Sequence, residues 1–171
     1  MQYNVAQLLK EPTGSTRTYQ LDEDFDGPQR FADRACGPVH MLRTHQGVLV
    51  RAPVNVMSTL TCARCLVEFG GAFDLPIEEE FFPTVDPNTG RRRPIPEAAE
   101  EDSLIDGNHT LDLTGVVNGY IHTVMPMKPL CRHDCKGLCQ VCGSDQNLGN
   151  CECPTQVMDP RWQALAGLVL E

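Results

Sequence analysis

The 171-residue sequence contains no run of about 18 apolar residues, so no membrane-spanning helix is expected. Its start lacks a basic segment followed by an apolar core, which argues against an export signal and for a reducing cytoplasm. Basic residues are scarce: 14 Lys and Arg stand against 23 Asp and Glu, a formal charge of −9. Such a chain is a poor non-specific binder of nucleic acid, because neutralising phosphates takes clustered cations. A basic partner or a local basic site suits it better. Catalytic patterns are also missing. None of His40, His45, His109, His122 or His133 is followed two residues on by Glu, as a zinc deaminase requires. There is no Gly-rich phosphate loop and no nucleophile elbow. An enzyme is therefore not expected, and no small-molecule substrate suggests itself.

Cysteine is what the sequence has in quantity. Six of its nine cysteines fall between residues 126 and 153, at Cys131, Cys135, Cys139, Cys142, Cys151 and Cys153. Two residues separate Cys139 from Cys142, and Gly143 follows. That spacing lets two sulfurs of a tight turn face one ion, with glycine allowing the bend. Cys151 and Cys153 have one residue between them, tighter than the usual knuckle. Three readings compete. Metal binding fits the spacing. A disulfide framework suits small exported chains and has no support here. Thioredoxin-like redox chemistry needs a βαβ setting that is absent near either Cys-x-x-Cys pair.

The first 36 residues carry little pattern. A short amphipathic helix is expected near residues 4–9 and a loop over 11–18, and residues 21–36 are polar and acidic. Cys36 stands alone there and is read as structural or incidental, with a ligand role as the lesser reading. Period two then takes over. Residues 39–43 read as a strand and 45–47 as its turn. Val48, Val50, Ala52, Val54, Val56 and Leu60 alternate with polar positions, the mark of a half-buried strand, with Pro53 suggesting an edge or a break. Val67, Phe69, Phe73, Leu75, Ile77 and Phe81 repeat the pattern. Between these strands lie Cys62 and Cys65, a second Cys-x-x-Cys pair at the tip of a hairpin. Residues 83–108 read as a long, solvated, mobile loop. It holds Arg91, Arg92 and Arg93, whose alternative reading is phosphate contact blunted by the acids at 97–102. Residues 112–125 have helical spacing, with Asp112 as N-cap and Pro126 as the stop. A final helix is expected over 159–170. The fold class is α+β: an antiparallel sheet or partial barrel, one packed helix, and a zinc-ribbon-like C-terminal segment. The division is a core of residues 1–125 and a metal-binding segment of residues 126–171.

VAQLLKEPTGSTR, TCARCLVEF, LDLTGVVNGYI, MPMKPLCRHDCKGLCQVCG with CEC, and DPRWQALAGL occur in this order. Together they resemble the YceD family, the large-ribosomal-RNA accumulation proteins of bacteria and plastids. The resemblance implies a non-enzymatic role in ribosome biogenesis, with ribosomal RNA or a ribosomal or assembly protein as partner. With it in view, the eight clustered cysteines divide into two sets of four. Cys139, Cys142, Cys151 and Cys153 would hold one Zn2+. Cys62, Cys65, Cys131 and Cys135 would hold a second and tie the hairpin tip to the end of the helix, with His133 as a substitute ligand. Arg64, Lys128, Arg132 and Lys136 are candidate RNA or partner contacts, or cations that favour nearby thiolates. A metal- or redox-responsive regulator using the Cys-x-x-Cys pairs is the alternative function.

Overall fold

The computed structural model describes residues 1–24, 32–97, 99–149, 151–153 and 161. The helix expected over 159–170 lies outside the described residues. The fold is α+β, built from a five-stranded sheet, a two-stranded ribbon and two helices. Strands β1 (Gln2–Asn4) and β7 (Thr110–Asp112) form the antiparallel ribbon. The larger sheet runs β2 (Thr16–Asp24), β3 (Arg34–Arg43), β4 (Val48–Thr61), β5 (Glu68–Pro83) and β6 (Leu104–Ile105). Its neighbours are antiparallel except β6, which runs parallel to β5.

The alternation in β4 does what its sequence predicts. Every even residue from Val48 to Leu60 is buried, and the odd ones face outward. On β5, Leu75, Ile77 and Phe81 meet that face, while Val67 falls before the strand and is exposed. The helices α1 (Ala6–Lys10) and α2 (Thr114–Val124) close the same core with Leu8, Leu9, Val117 and Ile121. Asp112 works one residue outside the assigned cap position, where its Oδ1 accepts the Thr114 N–H (2.9 Å) and hydroxyl (2.6 Å). Met125 is extended ahead of Pro126, and the helix stops there. Among the described residues no helix is long and apolar enough to cross a membrane.

Expectation and structure differ in detail at three places. Residues 16–24 form β2 rather than a loop running into an irregular polar stretch, and β3 begins at Arg34 instead of residue 39. β2 is an edge strand that buries only Leu21, so its sequence shows no clean alternation. Pro53 lies in a central strand, so of the edge or break expected there it marks the break. The β3–β4 ladder skips residues 37–39 and resumes in the same register, which sets Pro38 opposite Pro53. Neither has an N–H to donate, so the ladder opens at that point. Gly37 fits there because a Cβ would come within 2.4 Å of the Pro53 carbonyl oxygen. Finally, parts of residues 83–108 are regular structure. Residues 84–93 make a hydrogen-bonded hairpin, with Val85 bridged to Arg92, and a 3-10 turn at Glu101–Ser103 leads into β6.

Gly47 closes the β3–β4 turn, donating its N–H to the Thr44 hydroxyl at 2.8 Å. A Cβ there would lie 1.9 Å from the Phe81 carbonyl oxygen. Gly47→Ala should cost about 1–3 kcal/mol of stability, read as a lower urea midpoint. An unchanged midpoint would mean that β5 does not press on this turn.

Candidate metal centres

The first cysteine pair sits where β4 turns into β5. Cys62 donates its N–H to the Val67 carbonyl (2.9 Å), and the Leu66 N–H returns to the Cys62 carbonyl (3.0 Å). The turn is tight enough to force Leu66 to φ 60°, a left-handed conformation that costs a branched residue about 1–2 kcal/mol. The segment after α2 is bound to this turn. Ala63 donates to the Pro129 carbonyl (2.8 Å), and Leu138 donates to the Arg64 carbonyl (3.2 Å). Arg64 Nη1 donates to the Cys135 carbonyl at 2.7 Å. Gly137, at φ 78°, lets the backbones approach, since a Cβ there would be 3.1 Å from the Arg64 carbonyl oxygen.

These bonds bring four sulfurs together. Cys62, Cys65, Cys131 and Cys135 have Sγ atoms all within 4.8 Å of one another. Cys62 lies 3.8 Å from Cys135, and Cys65 lies 3.6 Å from Cys131, sulfur to sulfur. A tetrahedron of thiolates about 2.3 Å from a zinc ion has an edge of roughly 3.8 Å. Four sulfurs at this spacing can therefore hold one metal ion. Cys62, Cys65 and Cys135 are buried and Cys131 is half-buried.

A second group stands on a smaller hairpin, where Leu138 bridges Asp145 and the Cys139 N–H meets the Ser144 carbonyl at 2.8 Å. The Sγ atoms of Cys139, Cys142, Cys151 and Cys153 also lie within 4.8 Å of one another. Here Cys139 is buried, Cys142 exposed, and the other two half-buried. The two Cys-x-x-Cys turns share one detail. The backbone N–H of Arg64 points at Cys62 Sγ (3.5 Å), and that of Val141 points at Cys139 Sγ (3.4 Å). Such donors favour a charged sulfur.

The sulfurs divide into low and high titrators. Backbone N–H groups of Cys131 and Cys65 lead in bringing the Cys62 thiol down to about 6. The Ser144 hydroxyl, then its N–H, does the same for Cys142, also about 6. Burial, then the hydrogen-bonded Cys65 thiol, pushes Cys131 up to about 12. The Cys142 thiol, then burial, pushes Cys153 up to about 12. The Cys62 thiolate helps hold the proton on Cys131, and the Cys142 thiolate the proton on Cys153, a repulsion that a cation would relieve.

The remaining residues singled out in the sequence fall into place around these groups. Arg64 is the brace described above. Arg132 donates to Asn147 Oδ1 at 2.6 Å and lies 3.7 Å from Asp134. Lys128, His133 and Lys136 are exposed. Neither cysteine group includes His133, and Cys36 sits in β3 apart from both. Asn147 went unnoticed in the sequence. Its Nδ2 donates to Cys135 Sγ (3.4 Å) and its Oδ1 accepts the Lys136 N–H (2.8 Å), so it links the smaller hairpin to the first group. A lone Asn in a Gly- and Asn-rich loop gave no signal beyond a turn.

Residues 50–169 match the model of the family described as large ribosomal RNA subunit accumulation protein YceD. The chain belongs to this family. The match runs from β4 through both cysteine groups. Uncharacterised proteins of Mycobacterium tuberculosis and Mycobacterium bovis are each 32% identical over 127 residues, 72% of this chain and 56% of theirs. A protein of Mycobacterium leprae is 28% identical over the same length, which is 54% of its chain. The chain thus spans little more than half the length of the curated relatives it matches. No solved structure matches it.

In the metal-free protein at pH 7, thiols titrating near 6 are about nine-tenths ionised. Access then decides between them, because Cys142 is exposed and Cys62 is buried. Brief iodoacetamide treatment should label Cys142 well before Cys62, with Cys131 and Cys153 slowest, as read by peptide mass spectrometry. Labelling of Cys62 first would mean that the β4–β5 turn opens without metal.

Proposed function

We propose that this YceD-family protein is a non-catalytic, cytoplasmic ribosome-biogenesis factor. It supports accumulation of the large-subunit ribosomal RNA as a zinc-stapled platform for RNA or for a ribosomal or assembly protein. The observation that carries the reading is the convergence of two complete four-sulfur groups in a chain of this family. Cys62, Cys65, Cys131 and Cys135 would hold one Zn2+, and Cys139, Cys142, Cys151 and Cys153 a second. All-thiolate sets suit soft or borderline ions, and zinc takes them in closed tetrahedral sites. When bound, zinc supplies a rigid crosslink. Four protein ligands leave no position for a reacting water, which favours a structural role.

What the platform offers is shape. The core of residues 1–125 and the segment 126–171 would be locked together at the β4–β5 turn, so that a partner meets one rigid surface. Arg64 would serve the site by bracing the Cys135 carbonyl, and Arg132 by holding Asn147. Lys128 and Lys136 remain as exposed cations for partner contact.

Elemental mass spectrometry of protein purified without added metal should find two zincs per chain. Cys62→Ala with Cys65→Ala should leave one zinc and lower the unfolding midpoint sharply. Cys142→Ser should release the other with a milder effect, since that group lies at the surface. The wild-type protein should co-sediment with large-subunit precursor particles. No metal, with disulfides in its place, would defeat the reading. Zinc loss at low oxidant dose with altered particle binding would favour a redox-responsive regulator instead.

A further inference from the structure

β4 runs from the cysteine turn at Thr61 back to Val48, roughly 45 Å away. At that far end three segments meet: the end of α1, the β3–β4 turn, and the hairpin of residues 84–93. Arg43 ties the first two. Its Nε donates to the Leu9 carbonyl (3.3 Å), and its Nη1 to the carbonyls of Thr44 (2.6 Å) and Gly47 (2.8 Å). Lys10 follows Leu9 and is exposed, as is His45 in the turn.

The hairpin brings Arg91, Arg92 and Arg93 to the same place. Asp86 organises it. Its Oδ1 accepts the N–H groups of Asn88 (3.0 Å) and Thr89 (2.8 Å) and the Thr89 hydroxyl (3.0 Å). The Arg91 carbonyl accepts the Asp86 N–H (2.8 Å), and the Arg93 N–H donates to the Thr84 carbonyl (2.9 Å). Thr84 in turn donates its N–H (3.1 Å) and hydroxyl (2.8 Å) to the Ile105 carbonyl, which fastens the hairpin to β6. Burial lowers the pKa of Arg43, repulsion from Arg93 lowers it further, and Asp86 opposes both, so the cations lie close together.

Among the described residues, no ion pair involves Lys10, Arg43, Arg91, Arg92 or Arg93. Nearby Glu11 is taken by Arg17. Glu100 and Asp102 face another way, onto α2. There they line a groove of about 460 Å³ with Glu79 and Glu80, and Asp102 packs against Gly115, while the Glu80 carboxylate also accepts the Thr44 hydroxyl (2.6 Å) in the β3–β4 turn. A chain of net charge −9 thus shows one edge where five cations, mostly guanidinium, outnumber the nearby carboxylates of Asp86 and Glu80 on an ordered support.

We propose that this arginine edge binds RNA through its phosphates, with Lys10, Arg91 and Arg92 making the contacts and Arg43 and Arg93 behind them. The proposal rests on the RNA branch of the platform reading and moves the contact surface away from the cysteine end. Exposed guanidinium groups match phosphate oxygens two at a time, and the hairpin backbone that carries Arg91 and Arg92 is ordered by its own hydrogen bonds. The acids elsewhere repel RNA and so confine it to this edge.

The test uses the full chain with its metal retained and a labelled single-stranded RNA of about 20 nucleotides. Binding is followed by fluorescence anisotropy across a salt series. Three phosphate contacts give a log–log salt slope of about −2, so a fourfold rise in salt should weaken binding about 20-fold. The triple variant Lys10→Gln, Arg91→Gln, Arg92→Gln should bind at least about tenfold more weakly, with a slope near zero. Its zinc content and unfolding midpoint should equal those of the wild type, since all three side chains are exposed. Equal binding by wild type and triple variant, with loss in Lys128→Gln, Lys136→Gln, would overturn the arginine edge and leave the platform standing. No RNA binding at low salt by a protein that still co-sediments with ribosomal particles would overturn it too, and would point to a protein partner.

Discussion

The register of β4 on β5 is the constraint from which the rest follows. Their pairing runs unbroken from Val48 opposite Phe81 to Thr61 opposite Glu68. A one-residue slip of β4 against β5 would turn Val50, Val54 and Val56 to water and bring Arg51 inward. It would also shift Cys62 relative to Cys65. The core and the sulfur geometry therefore depend on the same ladder.

That ladder ends in two very different places. At one end the chain turns tightly enough to strain Leu66, and a segment from beyond α2 seals the turn with backbone hydrogen bonds and sulfur contacts. At the other end the turn is closed by Gly47 and Arg43 and flanked by a hairpin of arginines. One hairpin core thus carries a soft-ligand end and a cationic end, with an acidic groove between β5 and α2 beside the latter.

The cysteine end shows how local and distant interactions divide the work. Within each Cys-x-x-Cys, an N–H two residues on supports the first sulfur. Between segments, Arg64, Asn147 and the Pro129 carbonyl fix how the two strands of chain meet. Backbone N–H groups bring the Cys62 thiol down to about 6, while burial and then the Cys65 thiol push Cys131 up to about 12. A soft metal held by these sulfurs would couple its binding to the approach of the segments.

Much of this was written in the sequence by itself. The alternation of Val48, Val50, Val54 and Val56 fixed which face of β4 is buried, because a strand sends neighbours to opposite sides. The helical spacing of Val117 and Ile121 and the Pro126 stop placed α2 to within two residues. Cys-x-x-Cys spacing marked both turns, since that geometry is local. The tertiary structure alone decided what depends on neighbours far along the chain. β2 shows no pattern because an edge strand with only Leu21 buried has no second face to encode. Pro53 sits in mid-sheet because Gly37 and Pro38, remote in sequence, make room for it. Arg91, Arg92 and Arg93 read as one charge run in a loop, yet Asp86, Thr84 and Ile105 hold them on a hairpin. The meeting of Cys62 and Cys65 with Cys131 and Cys135 is of the same kind. Spacing shows that each pair can turn toward an ion, but only the folded sheet and helix bring the two pairs to one point.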